Sequence, residues 1–346
     1  DDFNQSIMIG ERHSQVQVPA MITAGWHDLL LKDDIEHFRR MRDSAGTEEA
    51  RSKTRILIGP WSHGTFLNVV GEREYGLRSS GFLVDMQGDL TTMTLRWFDQ
   101  RLKGINTGID DEPPVKYFVQ GINRWRTSED WPPPGATETA FFLHGDGALS
   151  PTSPASNADP LEYVYDPNDP TPTRGGKILK HGSYLRGPAE QGRLLNRPDV
   201  LAFTTPPFEK ELEITGAVKA ILYAATDGPD TDWVVKLCEV LPDGRTFDVC
   251  DGILRASYRE GNDVRKLVEP GAVVRYEIDM WATSMVFKPG HRMRALLTSS
   301  DFPRYDRNPN TGGLGVEAAT LRPARQTIFL DANRASHVLL PVMEVK

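Results

Sequence analysis

The sequence predicts an α/β portion followed by an all-β portion, and three observations predict it. Two short apolar runs, Val18–Gly25 and Arg55–Gly59, stand either side of one amphipathic stretch and read as strand–helix–strand. A second apolar stripe at helical spacing follows within residues 89–104. From about Asp110-Asp111-Glu112-Pro113-Pro114 onward, helical periods almost vanish, and short β runs divided by Pro, Gly, Asp and Asn turns replace them. The expected parts are an α/β segment over residues 1–112 and a β-sandwich over residues 113–346.

Each element has its own signal. Residues 1–16 are polar and read as the tail of a helical element. Val18–Gly25 is a strand opened by Pro19 and closed by Gly25. Asp33 or Asp34 can cap a helix reaching about Ala45, with Ile35, Phe38 and Met41 on one face and Gly46 as its stop. Arg55–Gly59 is the second strand. Asp89 caps a helix carrying Leu90, Met93, Leu95, Trp97, Phe98 and Leu102, ended by Gly104. Downstream, strands are expected at Val115–Gln120, Thr137–Leu143, Leu161–Tyr165, Val200–Phe203, Leu212–Ala225, Trp233–Val240, Thr246–Val249, Val273–Trp281, Met293–Thr298, Gln326–Phe329 and His337–Val342. Many short strands at this spacing make a sandwich or jelly roll. Residues 144–200, rich in Pro, Gly, Ser and Asn, are its long connections. Two parallel strands with two helices cannot cover a sheet on both faces. The remainder of that sheet is therefore expected from another chain or from sequence outside this one.

Composition excludes several classes. The chain of 346 residues carries a net charge of −8 without a Lys/Arg cluster, which argues against a nucleic-acid surface. No run approaches the roughly 20 apolar residues of a membrane span. Cys238 and Cys250 fall diagonally on opposite arms of a hairpin around Pro242-Asp243-Gly244-Arg245 and read as free thiols. Neither joins a histidine at zinc spacing, so no metal and no cofactor is expected. The Gly312-Gly313-Leu314-Gly315 turn neither follows a strand nor opens a helix, so it is no dinucleotide fingerprint. No signal peptide is visible at Asp1, but the chain reads as starting in mid-domain. The compartment is left open, with the cytoplasm favoured.

The chemistry sits at the two strand ends. The first run ends Gly25-Trp26-His27-Asp28 and the second ends Gly59-Pro60-Trp61-Ser62-His63-Gly64. A carboxylate and an imidazole past the carboxyl ends of parallel strands occupy the place where open α/β sheets put their sites. An acid followed by a histidine is the second half of the Ser…Asp…His order, and the first half, a nucleophile elbow, is nowhere in the chain.

These pieces resemble the acid and histidine motifs of the cocaine-esterase and X-Pro dipeptidyl-peptidase family of serine hydrolases. Asp251-Gly252-Ile253-Leu254-Arg255-Ala256 and the long string Ser299–Gly312 resemble that family's carboxy-terminal jelly-roll domain. The resemblance implies the last strands of an α/β-hydrolase sheet followed by a galactose-binding-like sandwich. It implies Asp28 as triad acid and His63 as general base, in hydrolysis of a small-molecule ester or amide through an acyl-enzyme. It also implies a helical cap before the acid strand, with residues 1–12 as its exit, and a non-catalytic sandwich that covers one side of the site and helps form a homodimer.

The departures matter equally. The family's Gly-x-Ser-x-x-Gly elbow and oxyanion tyrosine lie upstream of the acid and are absent here, so a missing amino-terminal catalytic half is the expected partner. Ser62 neighbours His63 in sequence, which should point its side chain away, and Ser183 sits among sandwich loops. In the α-amino-acid ester hydrolase branch, acidic residues two and three places past the acid hold an ammonium; here stand Leu30 and Leu31. That substitution points to a neutral, apolar acyl group. Trp26, Leu30 and Trp61 are the candidate pocket residues, with the two tryptophans also suited to packing. The family often has tyrosine where His27 stands.

Blander readings stand beside these. His37 is expected on solvent, and His144, His181, His291 and His337 are scattered without ligand spacing. Arg304, Asp306 and Arg307 read as a structural loop tied by Arg–carboxylate pairs. The competing function is a catalytically incomplete fragment serving as a β-sandwich binding or assembly module, with carbohydrate as a weaker possibility.

Overall fold

The computed structural model describes residues 8–10, 12–179, 184–313 and 320–344. Its first unit comprises Asp1–Pro134 with Lys177–Lys180, and its second Gly135–Gly176 with His181–Lys346.

In the first unit, β1 (Met21–His27) leads into α1 (Leu31–Ser44), α2 (Glu48–Lys53) and β2 (Arg55–Ser62). The small pair β3 (Val69–Val70) and β4 (Arg73–Glu74), helix α3 (Leu90–Lys103) and the hairpin β5 (Val115–Val119) and β6 (Arg124–Ser128) complete it. The sheet order is β1-β2-β5-β6, with β1, β2 and β5 parallel. Helix α1 starts at Leu31, earlier than the expected aspartate cap, and Leu30 caps it without a side-chain bond. Leu31, Phe38 and Met41 form its buried stripe, and burial of Leu31 outweighs a side-chain cap at Asp33 or Asp34. Those two carboxylates lie instead in the first turn, where the positive end of the helix dipole favours them. Helix α2 was not foreseen, although Thr47 caps it by accepting from Ala50 N–H at 3.1 Å. Helix α3 starts and ends as expected. Asp89 accepts from Thr92 N–H at 2.6 Å, and Gly104 adopts φ +67°.

One expectation is corrected. The run Val115–Gln120, expected as the first strand of the sandwich, supplies β5, which pairs in parallel with β2, Ile56 opposite Val115 and Ile58 opposite Tyr117. The first unit therefore runs to Pro134 rather than ending at 112. The reason is topological: α3 is the crossover between β2 and β5, and the acidic, proline-rich turn only joins it to the next strand. A hairpin closing a parallel sheet has the same local pattern as one opening a sandwich.

The second unit holds β7 (Ala136–Leu143), β8 (Leu149–Ser150), β9 (Leu161–Tyr165), β10 (Leu201–Thr204), β11 (Leu212–Thr226), β12 (Asp232–Val240) and β13 (Thr246–Arg255). It closes with β14 (Val274–Phe287), β15 (Arg292–Thr298), β16 (Ala324–Phe329) and β17 (His337–Met343). One sheet runs β10-β15-β12-β13; the other runs β8-β7-β17-β11-β16-β9, with β14 also on β11. Leu222, Ile278, Val338 and Leu340 from one sheet meet Trp233, Val235, Leu237 and Leu297 from the other in one core. Cys250 belongs to that core, whereas Cys238 packs with Leu194, Val200 and Leu296; both are free. Cys250 lies opposite Leu237 and shares its face, whereas Cys238, the next residue along β12, faces the other way. The Ser299–Gly312 string wires the interior. Arg304 bonds Asp251 and lies 3.4 Å from Asp301, and Lys236 meets Asp301 at 3.0 Å. Arg307 donates to the Pro167 carbonyl at 2.8 Å, and the Asp306 carbonyl accepts from Arg255 at 3.4 Å.

Candidate active site

Strands β1 and β2 run in register from Met21 opposite Arg55 to Gly25 opposite Gly59. The register then slips, and His27 lies opposite Ser62, so β2 carries one extra residue. The local sequence produces this bulge. Pro60 has no N–H to give the ladder, and Trp61 folds back over both glycines. A Cβ on Gly25 would stand 2.4 Å from the Trp61 carbonyl oxygen, and one on Gly59 would stand 2.4 Å from its ring. Only glycine admits so close an approach. The slip brings the next residue of each strand, Asp28 and His63, side by side.

His63 Nδ1 lies 3.1 Å from Asp28 Oδ1 and 3.2 Å from Oδ2. The carboxylate accepts the Nδ1 proton, which makes Nε2 the basic nitrogen of the ring. Asp28 is itself held: its N–H donates to the Gly25 carbonyl at 3.0 Å, and its Oδ1 accepts from Leu30 N–H at 2.9 Å. Its side chain is largely buried while that of His63 is 39 % exposed, so the acid is shielded and the imidazole can be approached. Gly64, at φ +66°, turns the chain away immediately after His63.

The other expected residues separate. Trp26 is buried, donates its indole N–H to the Phe118 carbonyl at 2.6 Å and packs against Trp131. Trp61 is buried, donates to the Ser79 carbonyl at 2.7 Å and packs against Phe66 and Trp125. Their burial and internal partners correct their candidate role: both indoles are framework. Leu30 is 42 % exposed beside Asp28, whereas Leu31 is fully buried under α1 and leaves the expected apolar lining. Ser62 is buried at the end of β2, and Ser183 and His181 lie outside the described residues. His37 is not on solvent alone, since its Nδ1 lies 3.0 Å from Nε2 of the buried His13. His144 meets Ser150, His291 meets Glu239, and His337 meets the Ala335 carbonyl. Among the described residues, no three His, Cys, Asp or Glu side chains are gathered to hold a metal.

One residue near the pair escaped sequence reasoning. Burial, reinforced by the charges of Asp28 and Asp33, pushes the Asp34 carboxyl up to about 6, against the pull of His63. Its sequence signal pointed only to a helix cap. Its nearness to the pair follows from α1 starting at Leu31.

Comparison with known proteins identifies the family. The family model for the X-Pro dipeptidyl-peptidase C-terminal non-catalytic domain matches residues 107–339. That for the X-Pro dipeptidyl-peptidase (S15 family) matches residues 1–65, which contain both Asp28 and His63. The chain is 36 % identical over 354 residues to cocaine esterase of Rhodococcus sp. (strain MB1 Bresler), covering 99 % of this chain and 60 % of that protein. An aminopeptidase from a marine-sediment archaeon, Thaumarchaeota archaeon, superposes with a TM-score of 0.85 at 28 % identity, over 99 % of this chain and 58 % of that one. An α-amino acid ester hydrolase does so with a TM-score of 0.83 at 27 % identity, also over 99 % and 58 %. The chain thus spans about three-fifths of the length of these relatives. With the non-catalytic domain matched over most of its length and the Asp28 and His63 strands in the adjoining match, the chain belongs to the cocaine-esterase and X-Pro dipeptidyl-peptidase family.

Proposed function

We propose that this chain supplies the acid and the base of a serine hydrolase that cleaves ester or amide bonds through an acyl-enzyme. The observation that carries this reading is His63 Nδ1 at 3.1 Å from a mostly buried Asp28 carboxylate. His63 Nε2 takes the proton of a serine hydroxyl as that oxygen attacks the carbonyl carbon, then returns it to the leaving oxygen or nitrogen. Asp28 keeps the proton on Nδ1 and stabilises the imidazolium that forms. Water repeats the sequence on the acyl-enzyme. The nucleophile comes from a Gly-x-Ser-x-x-Gly elbow on polypeptide outside this chain, either in the same parent protein or in a second subunit.

The sheet supports that partner. Among the described residues β1 pairs only with β2. Against β1 and α3 lies a recess of about 660 Å³ lined by Val18, Ala20, Thr23, Trp97, Phe98 and Leu102. Phe98 is 42 % and Leu102 76 % exposed. Parallel sheets bury both faces, so a strand and helix of the missing catalytic half fit against β1. Leu30, exposed next to the acid, suits a neutral, apolar acyl group. The sandwich takes the role of a non-catalytic, galactose-binding-like jelly roll that contributes to a homodimer.

The test is reconstitution. The chain is co-expressed with the amino-terminal half encoded upstream of it, and a fluorophosphonate probe is added with p-nitrophenyl butyrate as substrate. The expected result is labelling of the serine-bearing half and ester hydrolysis only when both halves are present. Labelling of the present chain alone would place the nucleophile here and overturn the division of labour. An unlabelled, inactive reconstituted pair would favour a binding module.

A further inference from the structure

We propose that His27, Gln120 and Tyr75 form a buried positioning triangle that sets where Asp28 meets His63; the inference rests on the hydrolase reading of that pair. His27 Nε2–H donates to the Gln120 carboxamide oxygen at 3.0 Å, and the Tyr75 hydroxyl donates to the same oxygen at 2.9 Å. The hydroxyl oxygen and His27 Nε2 are 3.4 Å apart, which closes the triangle. All three side chains are at most 5 % exposed. One carboxamide oxygen has two lone pairs, and here two donors use both.

The three corners lie on three separate stretches of backbone. His27 immediately precedes Asp28 and is the register partner of Ser62, which immediately precedes His63. Tyr75 belongs to the loop that leaves His63 and stands edge-on to Phe118 with ring centres 5.9 Å apart. Gln120 directly follows β5. The triangle therefore joins the ends of β1 and β5 to the loop that follows β2. Removing the shared acceptor would take a hydrogen bond from each of two buried donors, so the strand ends are held in this arrangement. Catalytic groups need placement to within about 0.5 Å, and supporting hydrogen bonds provide it. None of the three touches the reacting atoms; each acts through the backbone bearing Asp28 or His63.

The experiment is a proton NMR measurement of the His63 Nδ1–H resonance in the whole chain, with thermal melts alongside, for the unmodified protein and for Asp28→Asn, Gln120→Met and Tyr75→Phe. Losing the carboxylate acceptor in Asp28→Asn is expected to abolish the downfield, hydrogen-bonded Nδ1–H resonance. Gln120→Met is expected to move that resonance upfield, and Tyr75→Phe to move it the same way by a smaller but measurable amount. Tyr75→Phe decides the matter if Gln120→Met does not fold. Earlier melting of both triangle variants with an unmoved Nδ1–H resonance would make the triangle mere packing and overturn the proposal. An unchanged resonance in Asp28→Asn would instead overturn the acid–base pairing itself. The failure of the inference and the failure of the functional reading are thus told apart.

Discussion

Two carboxylates a few residues apart meet different surroundings. Asp28 accepts from an imidazole and from a backbone N–H, whereas Asp34 is half-buried among negative charges. In the reconstituted enzyme Asp28→Asn is expected to lower kcat by about 10⁴, because the imidazole loses its correct tautomer. His63→Ala should cost a comparable factor, and the two losses together should not add. Ester hydrolysis by the double variant checks both statements. For Asp34 the sign follows from a folded pKa raised from 3.8 to about 6. Unfolded chains lose this proton near pH 4 while the folded one keeps it, so stability falls between about pH 4 and 6 and is level above. Asp34→Asn should then leave Tm unchanged at pH 4 and raise it at pH 7–8. Equal melting of the two proteins at pH 8 would contradict the assignment.

Among the elements, the glycine–tryptophan interlock is the most demanding feature. Gly25→Ala would push a Cβ into the Trp61 backbone, so it should destabilise the first unit and separate Asp28 from His63. A melt combined with the His63 Nδ1–H resonance reads both effects. Helix α3 offers a gentler test: Asp89→Ala removes the bond to Thr92 N–H and should cost about 1 kcal/mol in urea unfolding. The two helix starts show how far local pattern reaches. Asp89 declared α3 because nothing tertiary competed with its cap. Asp33 and Asp34 misplaced the start of α1 because Leu31, an unremarkable leucine in sequence, is fully buried by its neighbours.

At the level of the whole molecule, the second unit is wired by charges, and among the described residues of the first β1 pairs on one side only. Lys236, Asp301 and Asp251 are buried, and Lys236 and Arg304 both pair with Asp301 while Arg304 also meets Asp251. Replacing only Asp301 with alanine removes the ion-pair partner of the buried Lys236 and should cost about 3–5 kcal/mol, measured as urea unfolding of the sandwich. Replacing Lys236 and Asp301 together with methionine and leucine should recover most of that loss. At the recess against β1 and α3, Phe98→Asp with Leu102→Glu should leave the melting temperature of this chain nearly unchanged and abolish reconstitution with the amino-terminal half. Undiminished reconstitution would place the partner elsewhere.

The sequence by itself determined the acid and histidine at two strand ends, the α3 caps, most strands of the sandwich and the family. Each of these depends on local chemistry: a glycine where backbone crowds, a capping carboxylate, or a two-residue alternation. Only the tertiary structure decided that Val115–Val119 joins the parallel sheet, that Trp26 and Trp61 are framework, that Asp34 lies near the pair, and that His27 meets Gln120 and Tyr75. Those outcomes depend on which distant segments become neighbours. A β run carries no mark of the sheet it will enter, and an indole none of whether its N–H will find water or a carbonyl. Pairing between residues far apart in the chain is settled by burial of the whole unit.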